Sequence, residues 1–262
     1  MSSNHPMRVM RPRPARRDDP PVVTWLGHST VLIELGGVRL LSDPVLRSRV
    51  MHLRRDGPAP GRPQSIDAVL VSHLHYDHLD LPSLRMLEPK PRVVCPTSAG
   101  RLLARAGFRD VDELLPGESL ELGDLRIEAT RAQHGGTRRP GGPAVAPLGF
   151  VVRGRRSVYF AGDTDLFDEM AELGRVDVAL LPVAGYSPKL GPGHLDARRA
   201  AEAAALIEPR LAVPIHWGTF RPLTQAAGAW FSAPPAEFAA QVAELAPAVE
   251  VRVLSPGESL EL

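Results

Sequence analysis

The stretch from Ile66 to Asp80 constrains this chain more than any other. Ile66, Ala68, Val69, Leu70 and Val71 form a short apolar run rich in β-branched residues, which reads as a buried strand. The run stops at Ser72, and His73, His75, Asp77 and His78 follow within six residues. Four side chains of metal-ligand type at the end of a buried strand are a metal-site signature. His73 and His75 are two apart, so on extended backbone they leave on one side. Asp77 and His78 are adjacent and diverge. One segment can therefore serve two metal ions, with His73 and His75 on the first and Asp77 and His78 on the second.

Other strand ends supply what this segment lacks. His134, Asp163 and His216 each follow an apolar strand and stand beside glycine, where the backbone can approach a ligand closely. His73, His75 and His134 then complete one coordination shell, and Asp77, His78 and His216 the other. Asp163, with two carboxylate oxygens, is the residue expected to bridge them. Asp165 and Asp168 read as solvated or helix-capping. His28 and Asp43 also end strands that should approach the site, and metal-bound histidines want carboxylate or backbone partners.

The rest of the chain places these residues in an α/β fold. Val22–Leu26, Thr30–Leu35 and Val38–Ser42 read as three strands, with Gly36-Gly37 as a hairpin turn. The Arg-, Gly- and Pro-rich residues 47–64 read as a long exposed loop walling a substrate cleft. Asp80 is a candidate N-cap for a helix running to about Glu88. A strand over Arg92–Cys95, a helix over Ser98–Gly107 and hairpins over 120–130 and 148–160 follow. Later come a strand over Val176–Val183, an Ala-rich helix over Ala197–Ile207 capped by Asp196, and a strand over Leu211–Ile215. A helix over Ala236–Leu245 and a strand over Val249–Leu254 complete the pattern.

Leu115-Pro-Gly-Glu-Ser-Leu-Glu-Leu122 returns nearly unchanged as Ser255-Pro-Gly-Glu-Ser-Leu-Glu-Leu262. Both halves also carry an apolar strand that ends in histidine. Internal duplication of this kind implies two sheets packed face to face with helices outside, a four-layer αββα sandwich with pseudo-two-fold symmetry. Residues 21–262 are expected to form one domain, preceded by a disordered Arg/Pro-rich tail over residues 1–20.

Composition excludes several partners. At 262 residues, 23% charged and net +1, the chain has no general attraction for nucleic acid or anionic lipid. No apolar run is long enough to span a membrane, so no stable membrane insertion is expected. The single cysteine, Cys95, excludes an internal disulfide and fits a cytoplasmic location. The partner to expect is a small-molecule substrate; oligomeric state is open.

The His-Leu-His-Tyr-Asp-His segment with separate His134, Asp163 and His216 resembles the metallo-β-lactamase fold superfamily. Trp25-Leu-Gly-His-Ser-Thr30, Leu41-Ser-Asp-Pro44, Ala161-Gly-Asp-Thr164 and Ile215-His-Trp-Gly-Thr-Phe220 resemble one branch of it. That branch holds N-acyl-phosphatidylethanolamine-hydrolysing phospholipase D and ascorbate-6-phosphate lactonase-like proteins. The resemblance implies the αββα fold and a binuclear hydrolase with two divalent ions, zinc first and manganese or iron as alternatives. It also matches His194 to a histidine of the phosphodiesterase-like members, which implies protonation of a leaving group or phosphate binding. Tyr186 and Lys189, on the same loop, are candidate substrate contacts. The chain departs from the phospholipase-like members after the third histidine: Gln133-His-Gly-Gly-Thr-Arg-Arg139 lacks their aromatic. That departure argues against a long-chain phospholipid.

The expected reaction is attack by a hydroxide shared between two ions on a small phosphodiester or a lactone/ester, oriented by Asp163, with Asp77 and His194 completing the catalytic set. Two other classes use the same ligands: a di-iron redox protein, and a non-catalytic sensor or binding protein. The intact ligand set argues against the last.

Overall fold

The computed structural model describes residues 17–138, 142, 145–187 and 189–262. Two seven-stranded sheets carry the fold. Across the first, the order is Ser259–Glu261 (β17), Val22–Gly27 (β1), Thr30–Leu35 (β2), Val38–Ser42 (β3), Ala68–Leu70 (β6), Arg92–Pro96 (β7) and Val111–Leu114 (β8). Across the second it is Ser119–Leu122 (β9), Leu125–Arg131 (β10), Leu148–Arg153 (β11), Ser157–Phe160 (β12), Val178–Pro182 (β13), Leu211–Ile215 (β14) and Glu250–Val251 (β16). Phe220–Pro222 (β15), Leu53–Arg55 (β5) and Arg49–Val50 (β4) make a separate three-stranded sheet.

The duplication is visible in strand direction. In each large sheet four strands pair antiparallel and the rest continue in parallel, β3–β6–β7–β8 in one and β12–β13–β14–β16 in the other. The repeated octapeptide starts the antiparallel part each time, but the halves exchange it. β9 ends the first half and joins the second sheet; β17 ends the second half and joins the first. Both copies make the same turn. Leu115 N bonds Glu118 Oε2 and Ser255 N bonds Glu258 Oε2, each at 2.8 Å, and Gly117 and Gly257 both take φ +91°.

Between the sheets lies a core that includes Val23, Trp25, Ile33, Leu40, Phe150, Phe160 and Val213. Alternation along β1 is what delivers it: Val23, Trp25 and Gly27 are buried while their neighbours are half-buried. Cutting Phe150 or Phe160 to alanine here would cost about 3–5 kcal/mol. Helices α1 (Leu81–Leu84) and α2 (Gly100–Arg105) pack Leu84 and Leu103 on the outer face of the first sheet. Helices α3 (Ala197–Ile207) and α4 (Pro234–Leu245) do the same for the second, through Ala200, Ala204, Ile207, Phe238 and Val242. Asp196 caps α3, its side chain accepting from Arg199 N.

Three expectations need correction. The loop over 47–64 contains the β4–β5 hairpin, which is built into a sheet. The helix after Asp80 ends at Leu84 rather than near Glu88, and the last predicted strand shrinks to Glu250–Val251. Of the expected N-terminal tail, residues 1–16 lie outside the described residues, whereas Arg17 pairs with Asp124 at 3.0 Å.

Candidate metal centre

The candidate ligands, with His28 and Asp43, gather where the strands end on one side of the sandwich. β6 runs into His73, β10 into His134, β12 into Asp163 and β14 into His216, while His28 sits in the β1–β2 turn and Asp43 follows β3. Holding these side chains together strains the backbone. His28, Asp43 and His216 have φ of +54°, +31° and +63°, a region that non-glycine residues enter at a cost of about 1–3 kcal/mol. The strain is sustained by a lattice of bonds: His28 N donates to Thr219 Oγ1 at 2.8 Å, while His28 O accepts from Trp25 Nε1 and from His216 N.

Among the described residues, potential ligand atoms gather in four overlapping groups, two of which join Asp43 to His73 and His78 and Asp163 to His134 and His194; the other two carry the argument. His73, His75 and His134 form one; Asp77, His78 and His216, together with His28, form the other. The grouping follows the sets read from the sequence, with His28 added to the second. Asp163 lies between them. Its Oδ2 is 3.2 Å from His78 Nε2 and 4.0 Å from His73 Nε2; its Oδ1 is 3.1 Å from His216 Nε2. Oδ1 is fully buried, yet no donor among the described residues is aligned to hydrogen-bond it.

The outer nitrogens decide which atoms face inward. His134 Nδ1 donates to Gly193 O at 2.7 Å, and His216 Nδ1 donates to Ala184 O at 2.8 Å. His78 Nδ1 donates to Asp43 Oδ2 at 2.7 Å. Asp43 also accepts from Ser72 N and Ser72 Oγ, and that hydroxyl oxygen accepts from His73 Nδ1 at 2.9 Å. A carbonyl or carboxylate oxygen can only accept, and the Ser72 hydroxyl has already given its own hydrogen to Asp43, so each of these rings carries a proton on Nδ1 and turns Nε2 inward, where its lone pair serves a metal ion once any second proton has left. His73 Nε2 thus lies 2.9 Å from His75 Nδ1, His134 Nε2 lies 3.1 Å from that same atom, and His216 Nε2 lies 3.4 Å from His78 Nε2. Inward lone pairs beside an orphaned carboxylate oxygen are what a pair of cations needs, and the donor set of imidazole and carboxylate suits zinc-like metals. The residues present fit the group.

Charge follows the same logic. Burial favours a neutral carboxyl at Asp163, but His216, His78 and His194 outweigh it and hold the carboxylate well below its usual range. Burial likewise opposes charge on His78, and Asp163, Asp77 and Asp43 overcome it, lifting the ring well above its ordinary value. His134 has no such surplus and burial takes it down to about 4; His28, buried beside His216, falls to about 3 despite Asp77.

The remaining candidates divide. His194 is brought in: its Nε2 is 3.5 Å from Asp163 Oδ2, and its ring meets His134 edge-on. Tyr186 lines a cavity with His75 and Asp77. Lys189 is exposed; its backbone N bonds Ser187 Oγ, and its side chain makes no hydrogen bond or ion pair among the described residues. Asp165 pairs with Arg199 rather than with the centre, and Asp168 opens a short 3-10 helix. Trp217 packs on Trp25 beneath the His216 turn. Sequence reasoning missed Ser72 and Thr219, the hydroxyls that orient Asp43, His73 and His28. The position of Ser72, between a strand end and the first histidine, was the available signal.

Comparison with known proteins identifies the family. A family model described as a β-lactamase superfamily domain matches residues 38–217. A UPF0173 metal-dependent hydrolase of Methanopyrus kandleri is 36% identical over 249 residues, 91% of this chain and 99% of the relative. An N-acyl-phosphatidylethanolamine-hydrolyzing phospholipase D of Caenorhabditis elegans is 32% identical over 226 residues, covering 75% of this chain and 64% of the relative. Among solved structures, Igni18, a metallo hydrolase of Ignicoccus hospitalis, superposes with a TM-score of 0.70 at 26% identity, covering 92% of this chain and 98% of its own. The chain therefore belongs to the metallo-β-lactamase superfamily, and within it to the metal-dependent hydrolases.

Proposed function

We propose that the chain is a binuclear hydrolase of small phosphodiesters or lactones and esters. His73, His75 and His134 would hold one divalent ion and Asp77, His78 and His216 the other, with the Asp163 carboxylate placed between the two sets. Zinc suits these donors best, with manganese or iron as alternatives. When bound, such a pair supplies a hydroxide nucleophile near neutral pH and offsets charge on the developing oxyanion. A reducing cytoplasm suits the free, buried Cys95.

The observation that carries this reading is the inward set of lone pairs, fixed by Gly193 O, Ala184 O, Asp43 and Ser72. The chain's own residues then divide the work. Asp43 receives the Nδ1–H of His78 and the hydroxyl of Ser72, so one carboxylate orients a ligand of each group. Asp163 holds a carboxylate between both groups and orients the nucleophile. Asp77 is held in place by His28 at 3.2 Å. Burial opposes charge on His194, but the hydrogen bond and charge of Asp163 outweigh it and raise the ring's proton affinity above its ordinary value. Its Nε2 proton is available to a departing oxygen.

The phospholipase relative, by its name, acts on a phosphodiester-containing lipid, which supports the phosphodiester class. The test is turnover of bis(p-nitrophenyl) phosphate and of dihydrocoumarin by zinc-loaded protein, with a chelated control. Chelator-sensitive hydrolysis of either is expected. Two bound zinc ions with no turnover of any phosphodiester, lactone or ester would overturn the hydrolase reading.

A further inference from the structure

Beside the metal centre lies a cavity of about 240 Å3, walled by the β4–β5 hairpin. Its polar end is His75 from one group of ligands and Asp77 from the other. A molecule that fills it therefore lies against both groups at once. Its apolar wall is Val50 and Leu53, which form a small cluster with Val45 and Phe220 on which Tyr76 and Tyr186 pack. The wall is braced. The Arg138 guanidinium stacks 4.1 Å from the centre of the Tyr76 ring and donates to Leu74 O and Leu79 O. Tyr186 meets the His52 ring edge-on at 6.0 Å.

No cation is offered to the cavity by the hairpin. Arg47 is committed to Asp80 through two hydrogen bonds. Arg55 is turned away, donating to the carbonyls of Leu26, Val45 and Arg47 and lying on the Phe220 ring. Arg49 and Arg54 are directly paired across the hairpin, and both are exposed on the face opposite Val50 and Leu53. An anionic tail would find no partner among these arginines, whereas an apolar group would find a ready wall. As to size, a dry apolar cavity of about 150 Å3 already accommodates benzene.

We infer that this cavity holds a compact, uncharged, ring-sized apolar group of the substrate, next to the bond that is hydrolysed, and that Val50 and Leu53 set its size. The inference rests on the hydrolase reading above and adds the substrate's non-reacting half to it.

The test is calorimetric titration of the full-length, zinc-loaded protein with two probes, phenylphosphonate and methylphosphonate, which share the anionic head and differ by the ring. Phenylphosphonate should bind about tenfold to a hundredfold more tightly, the worth of burying an aryl group. Leu53→Phe should erase that preference while leaving methylphosphonate affinity and zinc content unchanged. Leu53→Ala should do the reverse and admit 1-naphthylphosphonate, which the parent protein rejects. Val50→Phe, on the neighbouring strand, repeats the narrowing test where Leu53→Phe fails to fold. Equal affinity for phenyl and methyl probes in the parent protein would overturn the inference. So would variants that shift both probes in parallel. Ring preference without turnover of any phosphodiester or ester would sink the hydrolase reading and leave the ring pocket standing.

Discussion

The Nε2 atoms of His78 and His216 stand 3.4 Å apart, and each ring already donates its Nδ1–H to an oxygen. Two buried lone pairs at that distance repel unless a proton or a metal ion lies between them. The carboxylates around His78 raise its proton affinity, so without metal a proton serves that purpose. A divalent cation displaces it.

Asp43 should matter to both ions although it belongs to neither ligand set. Asp43→Asn keeps the shape but loses the charge that receives His78 Nδ1–H and Ser72 Oγ–H. Loss of an outer partner of this kind lowers metal affinity about 10–100-fold. Competition with a chromophoric chelator should show that loss, together with a parallel fall in hydrolysis. Unchanged affinity would remove Asp43 from the account.

Gly162 places Asp163. It sits at φ +62°, and a Cβ there would come within 2.6 Å of Ser72 Cβ and 3.0 Å of Leu148 O. Gly162→Ala should therefore cost about 1–3 kcal/mol from the backbone alone and displace the carboxylate that follows. The expected result is a folded protein of lower melting temperature that has lost most activity; normal activity would contradict it.

The metal-free protein should lose stability as pH falls. His134 and His28 are held neutral down to about pH 4 and 3, while in the unfolded chain they protonate near 6.5. Below about 6.5 the unfolded chain binds more protons, so their contribution is present above that pH and fades towards pH 3–4. His78 has the opposite sign: its contribution is full below about 6.5 and is lost as pH rises through its raised value. Thermal melts of chelator-treated protein between pH 7.5 and 4.5 should fall on the acid side, less steeply in His28→Gln. A parallel slope in that variant would contradict the assignment.

Cys95 should be inert. Burial first, then Glu113 and Asp112, push its thiol up to about 12, so almost no thiolate exists at pH 8. Ellman's reagent should react with about one thiol per chain in guanidinium and essentially none in the folded state. Rapid labelling of native protein would contradict the burial.

What was legible in the sequence was local. The strand over 66–71 and the four candidate ligands after it could be read because apolar pattern and ligand type are packed into a dozen residues. Asp163 and His216 were legible because the strands before them are continuous and buried, and His134 because Leu125, Ile127 and Ala129 alternate as buried residues along the strand before it. The support for these ligands was harder to read because it comes from pairing between distant strands. Parallel register sets Ser42 beside Leu70, which is what brings Asp43 to Ser72 and His78, and sets Pro182 beside Ile215, which brings Ala184 O to His216. The β4–β5 hairpin was hidden for a different reason. Arginine stands at both exposed and buried positions of β5, so Leu53-Arg54-Arg55 shows no apolar alternation, and the Pro/Gly-rich residues after it look like loop.

The most direct test of the account is the metal content of the protein, purified without added metal, by mass spectrometry. About two equivalents of divalent metal per chain are expected, zinc foremost, with loading and hydrolysis both lost in His75→Ala and Asp163→Ala. Less than one equivalent, with no uptake on titration with zinc, manganese or iron, would contradict the binuclear centre.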